Sequence, residues 1–179
     1  LWLGAVAWVR LGKPLALLRL PYRVGSVREE RGGAFTLAVE PGLPVDNAKA
    51  LVDASGRLVV PGLIDLHTHV YWGGTSLGVD ADAYGRQSAV TTCADTGSAG
   101  PGNFAGFQSH VIDRAETRIL AYLNISYAGI YAFSETISVG EAQDMRLMAA
   151  RAAASVARDH AASVVGIKVR IGKHAGGTS

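Results

Sequence analysis

The chain carries a single cysteine, Cys93. No intrachain disulfide can form, and a reducing compartment is the default expectation. It also lacks the ~20 uninterrupted apolar residues that span a bilayer. The apolar opening, residues 1–20, is broken by Arg10, Lys13, Pro14 and Arg19. That opening does not follow the basic-then-apolar-then-small order of a secretory signal either, so the sequence reads as cytoplasmic with no membrane partner. Charge is scarce: 18% of residues are charged and the net charge is +2, too little to point to nucleic acid. The excess is local, since residues 1–31 hold six basic side chains against Glu29 and Glu30. Dinucleotide and phosphate-loop fingerprints are missing as well. The glycine-rich stretch Gly97-Ser98-Ala99-Gly100-Pro101-Gly102 matches neither.

What is present centres on Pro61-Gly62-Leu63-Ile64-Asp65-Leu66-His67-Thr68-His69. An apolar run delivers two histidines one residue apart, and Gly73-Gly74 follows soon after. On a strand, residues i and i+2 share a face, so both imidazoles can reach one point. Two neutral imidazoles aimed at one point form a metal-binding arrangement, with zinc the expected ion. Asp65, two residues before His67, shares that face on the same count and could orient an imidazole as a hydrogen-bond acceptor. It is equally readable as a salt-bridge residue.

Short strands punctuated by Gly and Pro over residues 35–60 predict part of a small β-subdomain. Residues 1–34 show no clean period and stay unassigned. After Pro61 the pattern alternates strand and helix. Strands are expected at Gly62–His67, Val90–Asp95, Arg118–Ile125 and Val164–Ile171. Helices are expected at Asp80–Ser88 with Asp80 as N-cap, at Asn103–Ala115 and at Met145–Ala161. Apolar strands in this order predict an α/β fold with a parallel sheet. Ligands gathered where such strands end suggest residues 61–179 as the first four units of a (β/α)₈ barrel, a fold that in full takes about 200 to more than 400 residues. Half a barrel exposes sheet edges, and association between copies is expected.

Lys168 interrupts the fourth strand, Val164-Val165-Gly166-Ile167-Lys168-Val169-Arg170. It could face solvent or pair with a carboxylate, since buried lysine needs a partner. Alternatively, burial favours its neutral amine, which can add carbon dioxide and become an anionic metal bridge. Asn124, Ser126, Arg170 and His174 lie near strand ends, where substrate contacts belong in a barrel. Asp95 is either catalytic or a loop cap. Cys93 reads as a small buried apolar residue, and His110 and His160 as helix-surface residues.

The phrases Val52–Gly56, Pro61–His69, Ala89–Gly100 and Gly166–Arg170 together resemble the amidohydrolase superfamily. The narrower likeness is to its amidohydrolase/deacetylase metallohydrolases, relatives of dihydroorotase and the D-aminoacylases. The resemblance implies a TIM-type barrel beside a small β-sandwich built from both chain ends. It implies two divalent metal ions, with His67 and His69 holding one and a carboxylated Lys168 bridging the pair as a catalytic group. It also implies hydrolysis of amide, cyclic amide or acyl ester bonds in small molecules through a metal-bound hydroxide. The remaining ligands of the family, two histidines and an aspartate, have no counterparts here. The chain opens on Leu1 rather than methionine and stops soon after the fourth strand, so an incomplete, N-terminal portion is expected. The competing expectation is a half barrel without catalysis that serves as an interaction module.

Overall fold

A computed structural model describes residues 62–134 and 136–172, together with four strands nearer the N-terminus. Those strands are β1 (Ala16–Leu18), β2 (Arg23–Glu29), β3 (Phe35–Glu40) and β4 (Ala50–Val52). β1 pairs parallel with β4, and β2 pairs antiparallel with β3. The segment that the sequence left unassigned thus carries two strands. The chain divides into two compact units, Leu1–Gly62 and Leu63–Ser179.

The second unit starts with β5 (Leu63–Thr68), α1 (Ala81–Ser88) and β6 (Val90–Thr96). There follow α2 (Phe104–Phe107), which runs into a π-helical turn at Gln108–Ile112, and β7 (Arg118–Asn124). A hairpin of β8 (Ile130–Phe133) and β9 (Ser138–Gly140) precedes α3 (Ala150–Asp159) and β10 (Val164–Lys168). The principal sheet has the order β10-β7-β6-β5 with every pairing parallel. All four strands therefore end on the same side, which collects their C-terminal residues in one mouth. Among the described residues, no helix is long and apolar enough to cross a membrane.

Local chemistry explains most boundaries. Asp80 caps α1 by accepting a 2.7 Å hydrogen bond from the Ala83 amide, as an N-cap carboxylate should. β6 is buried along nearly its whole length, which explains its lack of polar–apolar alternation. Its Cys93 joins Phe104, Phe107, Ile119 and Leu123 in the core between sheet and helices. Burial pushes the Cys93 thiol up to about 11, so it stays protonated near neutrality.

Two expected helices come out shorter than the sequence suggests. In Asn103–Ala115 the α-turn ends at Phe107, once Phe104 and Phe107 are both fully buried. Beyond it the chain continues as the π-helical turn, from which Val111 and Ile112 still pack on the core while Ser109, His110, Asp113 and Arg114 are exposed. In Met145–Ala161 a break falls at Met148 and Ala149. There the Ala149 amide donates to the Ile125 carbonyl, and the Tyr127 amide donates to the Leu147 carbonyl. Pairing with the loop after β7 holds this stretch extended, and α3 begins only at Ala150. Its Ala153, Val156 and Ala157 pack on the core. His160, expected on the surface, is half-buried, and its ring meets Phe104 edge-on at 4.9 Å.

Candidate functional site

β5 brings its histidines to the mouth with one irregularity. Asp65 pairs with Cys93 and Thr68 with Asp95, so three steps on β5 match two on β6. The extra residue is a bulge, and it breaks strict alternation between the two faces. The His67 and His69 rings nevertheless come together edge to face, with centroids 5.6 Å apart. His67 is exposed and His69 half-buried.

The bulge changes the role expected of Asp65. Its carboxylate accepts from the Tyr84 hydroxyl on α1 at 2.6 Å and from the His67 backbone amide at 3.0 Å. Asp65 therefore ties β5 to α1 and braces the bulge rather than orienting an imidazole. The Tyr84 hydrogen bond is also the chief reason that its carboxyl lies below the ordinary range.

His69 is fixed from the side of β6. Its Nδ1 shares a 3.0 Å hydrogen bond with the hydroxyl of Ser98, which is fully buried. With Nδ1 engaged, Nε2 is the nitrogen left for a metal or substrate. Burial, followed by the positive charges of Lys168, His67 and Arg170, pushes the His69 imidazole down to about 4. Its folded value thus lies below the ordinary 6.5 of histidine. The contribution to stability is complete above about pH 6.5 and is lost as pH falls toward 4. In a proton NMR titration, one imidazole resonance should show a midpoint near pH 4, and His69→Gln should remove it. A midpoint near 6.5 would contradict the assignment.

Asp95 is buried beneath this pair and is spent on the backbone. It accepts from the Val70 amide at 2.8 Å and from the Ser98 amide at 2.8 Å. One carboxylate thus clasps the chain leaving β5 to the loop leaving β6. Of the two roles expected for Asp95, the structure assigns the cap.

Lys168 enters the same mouth from β10. Its side chain runs against Gly97, where an added Cβ would meet Lys168 Cδ at 2.7 Å. Gly97 has φ +86°, a conformation that glycine adopts without steric cost. Gly97 precedes Ser98, so the lysine and the His69 anchor lie on one turn. The amine of Lys168, whose side chain is 18% exposed, lies 3.6 Å from Glu141 Oε1. Of the alternatives open for Lys168, the amine seen here pairs with a carboxylate. Glu141 also accepts a 2.9 Å hydrogen bond from Arg170 Nη1. Arg170 lies over the Phe133 ring, with Cζ 5.1 Å from its centroid.

Asn124, expected as a substrate contact, is here engaged within the protein. It is 1% exposed, donates to the Gly97 carbonyl and accepts from the Ser126 amide. It is a brace between the loops after β6 and β7. His174 lies outside the described residues. Glu141 is the residue that sequence reasoning missed; a buried lysine calls for a carboxylate, but nothing in the pattern says which. Among the described residues, no three His, Cys, Asp or Glu side chains stand together as a metal site. A separate cleft of about 470 Å³, lined by Tyr71, Trp72, Asp80, His110 and Arg114 among others, excludes the histidine pair and Lys168.

The model of the Amidohydrolase family matches residues 50–108. A deacetylase of Agrobacterium fabrum is 34% identical over 127 residues, covering 71% of this chain and 30% of the relative. The chain belongs to the amidohydrolase superfamily. A deacetylase of Brucella anthropi is 35% identical over 119 residues, covering 66% of the chain and 29% of the relative. The chain thus spans about 30% of the length of these curated superfamily relatives. Among solved structures, a dihydroorotase superposes with TM-score 0.69 and 27% identity, covering 87% of this chain and 40% of that one. An adenine deaminase gives TM-score 0.65 at 24% identity, covering 87% and 41%, a likeness of fold alone. The parallel sheet with its helices fits part of the TIM-type barrel expected for this superfamily.

Proposed function

We propose that this chain forms part of a metal-dependent hydrolase of the amidohydrolase/deacetylase type, acting on amide, cyclic amide or acyl ester bonds of small molecules. The observation that carries the reading is the meeting of His67 and His69 at 5.6 Å between ring centroids, in the mouth that Lys168 also enters. The donor set fits the histidine half of a metal site. His69 is neutral near pH 7 and has one nitrogen committed to Ser98, which leaves the other free to bind. Two imidazoles do not complete a tetrahedral site, so a further donor is required.

Lys168 supplies that donor if its amine adds carbon dioxide. The neutral nitrogen bonds to the carbon, one proton leaves, and an anionic oxygen ligand results. To do so the amine must give up its ion pair with Glu141. A bound divalent ion, zinc first among those expected, would polarise the scissile carbonyl and lower the pKa of a water. Ser98 holds His69 in one tautomer and orientation, Asp95 holds Ser98, and Arg170 presents donors to substrate.

A second reading, an interaction module without catalysis, is favoured by the apolar side chains exposed on the two edge strands. Leu63, Ile64 and Leu66 lie on β5, and Val165 and Ile167 on β10. One titration separates the readings. Zinc binding measured by calorimetry should weaken by about 100-fold or more in His67→Ala, as for the loss of a zinc ligand. A chain that binds no zinc and runs as a discrete dimer in light scattering would favour the module and defeat the hydrolase.

A further inference from the structure

One carboxylate serves two cations where the β8–β9 hairpin returns to the mouth. Glu141 is 2% exposed; Oε2 accepts from Arg170 Nη1 at 2.9 Å and Oε1 lies 3.6 Å from Lys168 Nζ. Oε1 has no hydrogen-bond partner among the described residues. The Glu141 backbone has φ +46°, in the left-handed region that costs a non-glycine residue energy and persists only where its surroundings enforce it. Immediately before it, Gly140 has φ +102° and sits close against the Gly129 carbonyl. A strained, buried carboxylate is thus locked in place by the hairpin.

Arg170 is held differently. Its guanidinium is steered by Glu141 at one end and by the Phe133 face, yet its side chain remains 41% exposed. Its hydrogen bond through Nη1 is the one it makes among the described residues. The donors on Nε and Nη2 therefore remain open, in the fork that a carboxylate accepts bidentately. The local charge agrees, because two cations share one carboxylate. Asp65 and Asp95 are each engaged by their own donors.

We infer that Arg170, positioned by Glu141 and Phe133, is the receptor for a carboxylate carried by the substrate. The inference rests on the hydrolase reading in one respect, that this mouth is where substrate binds. Glu141 is a positioning residue: it removes the freedom of a long side chain before the ligand arrives, so less order has to be imposed on binding.

The test compares two probes with the same amide, N-acetylglycine as its anion and uncharged N-acetylglycinamide, titrated calorimetrically into the full chain. The anion should bind about tenfold or more tightly, as for a charge-assisted bidentate contact. Arg170→Met should cut that preference to about threefold or less, and Arg170→Lys, which keeps charge but loses the fork, should retain only part of it. Glu141→Gln should lower the preference and also shift the Nε–H resonance of Arg170, a signature that a general loss of stability does not give. Circular dichroism checks that each variant is folded; if Glu141→Gln is not, the two Arg170 variants still decide. Equal binding of both probes, binding of neither, or a preference that survives Arg170→Met overturns the inference. Discrimination without hydrolysis of either probe would defeat the hydrolase reading and leave the receptor standing.

Discussion

Truncation of Phe104 to alanine is expected to cost about 3–5 kcal/mol of folding stability, the range for a fully buried phenylalanine. Phe104 has no exposed surface and sits where the helices meet the sheet. Its ring packs edge-on against Phe107 at 6.0 Å and against His160 at 4.9 Å. Alanine would remove both ring contacts and leave a cavity bordered by α2 and the end of α3, elements too short to collapse into it without moving. A loss of that size is a large share of the about 5–15 kcal/mol that holds a typical domain together. Urea denaturation followed by circular dichroism measures it, and Phe104→Leu should recover more than half. A cost under about 1 kcal/mol would mean that the core does not depend on this ring.

The second large effect is at Asp95. Asp95→Ala strips acceptors from the amides of Val70 and Ser98, both buried. Two stranded donors at about 1–3 kcal/mol each predict a loss of roughly 2–6 kcal/mol. Burial raises the carboxyl of Asp95 above its ordinary value while the backbone donors oppose that shift. A group with a raised folded pKa gives its full stability below the unfolded value, and that stability declines as pH rises through the folded one. Asp95→Asn should therefore be milder than alanine: the amide oxygen keeps one acceptor and carries no charge to desolvate. The readout that ties this residue to the site is local. Releasing Ser98 should free His69, so its NMR midpoint should move up from about 4 toward the ordinary histidine value. Equal stability of Asp95→Ala and the parent would sink the proposal that this carboxylate holds the mouth together.

Much of the sheet was legible because a nearly unbroken apolar run is a plain mark of a parallel strand, even where, as on β5 and β10, several of its side chains are exposed. The apolar runs that become β5, β6, β7 and β10 need no partner to be recognised, and Asp80 announces the start of α1. The His67–His69 pair was legible for the same reason, since spacing is a local property. What depended on distant partners was not. The bulge in β5 is a register shift against β6, and it sends Asp65 to Tyr84 instead of to a histidine. Asn124 looked like a strand-end contact, but Gly97, 27 residues earlier, claims it. The hairpin at 130–140 has short strands with little alternation, and it was overlooked along with the glutamate it delivers. The long Ala-rich helix was shortened by pairing between Leu147, Ala149 and the loop after β7. Helix propensity loses there to hydrogen bonds that no single window of sequence contains.

The β8–β9 hairpin has a consequence for how the proposed hydrolase could diversify. Histidines and lysine ride on the repeating strands, whose replacement would disturb the sheet itself. Glu141 and Phe133 ride on an inserted ribbon outside that repeat. Exchange of this ribbon alone could retune which molecules are admitted while His67, His69 and Lys168 stay untouched, so selectivity and chemistry are free to evolve at separate rates.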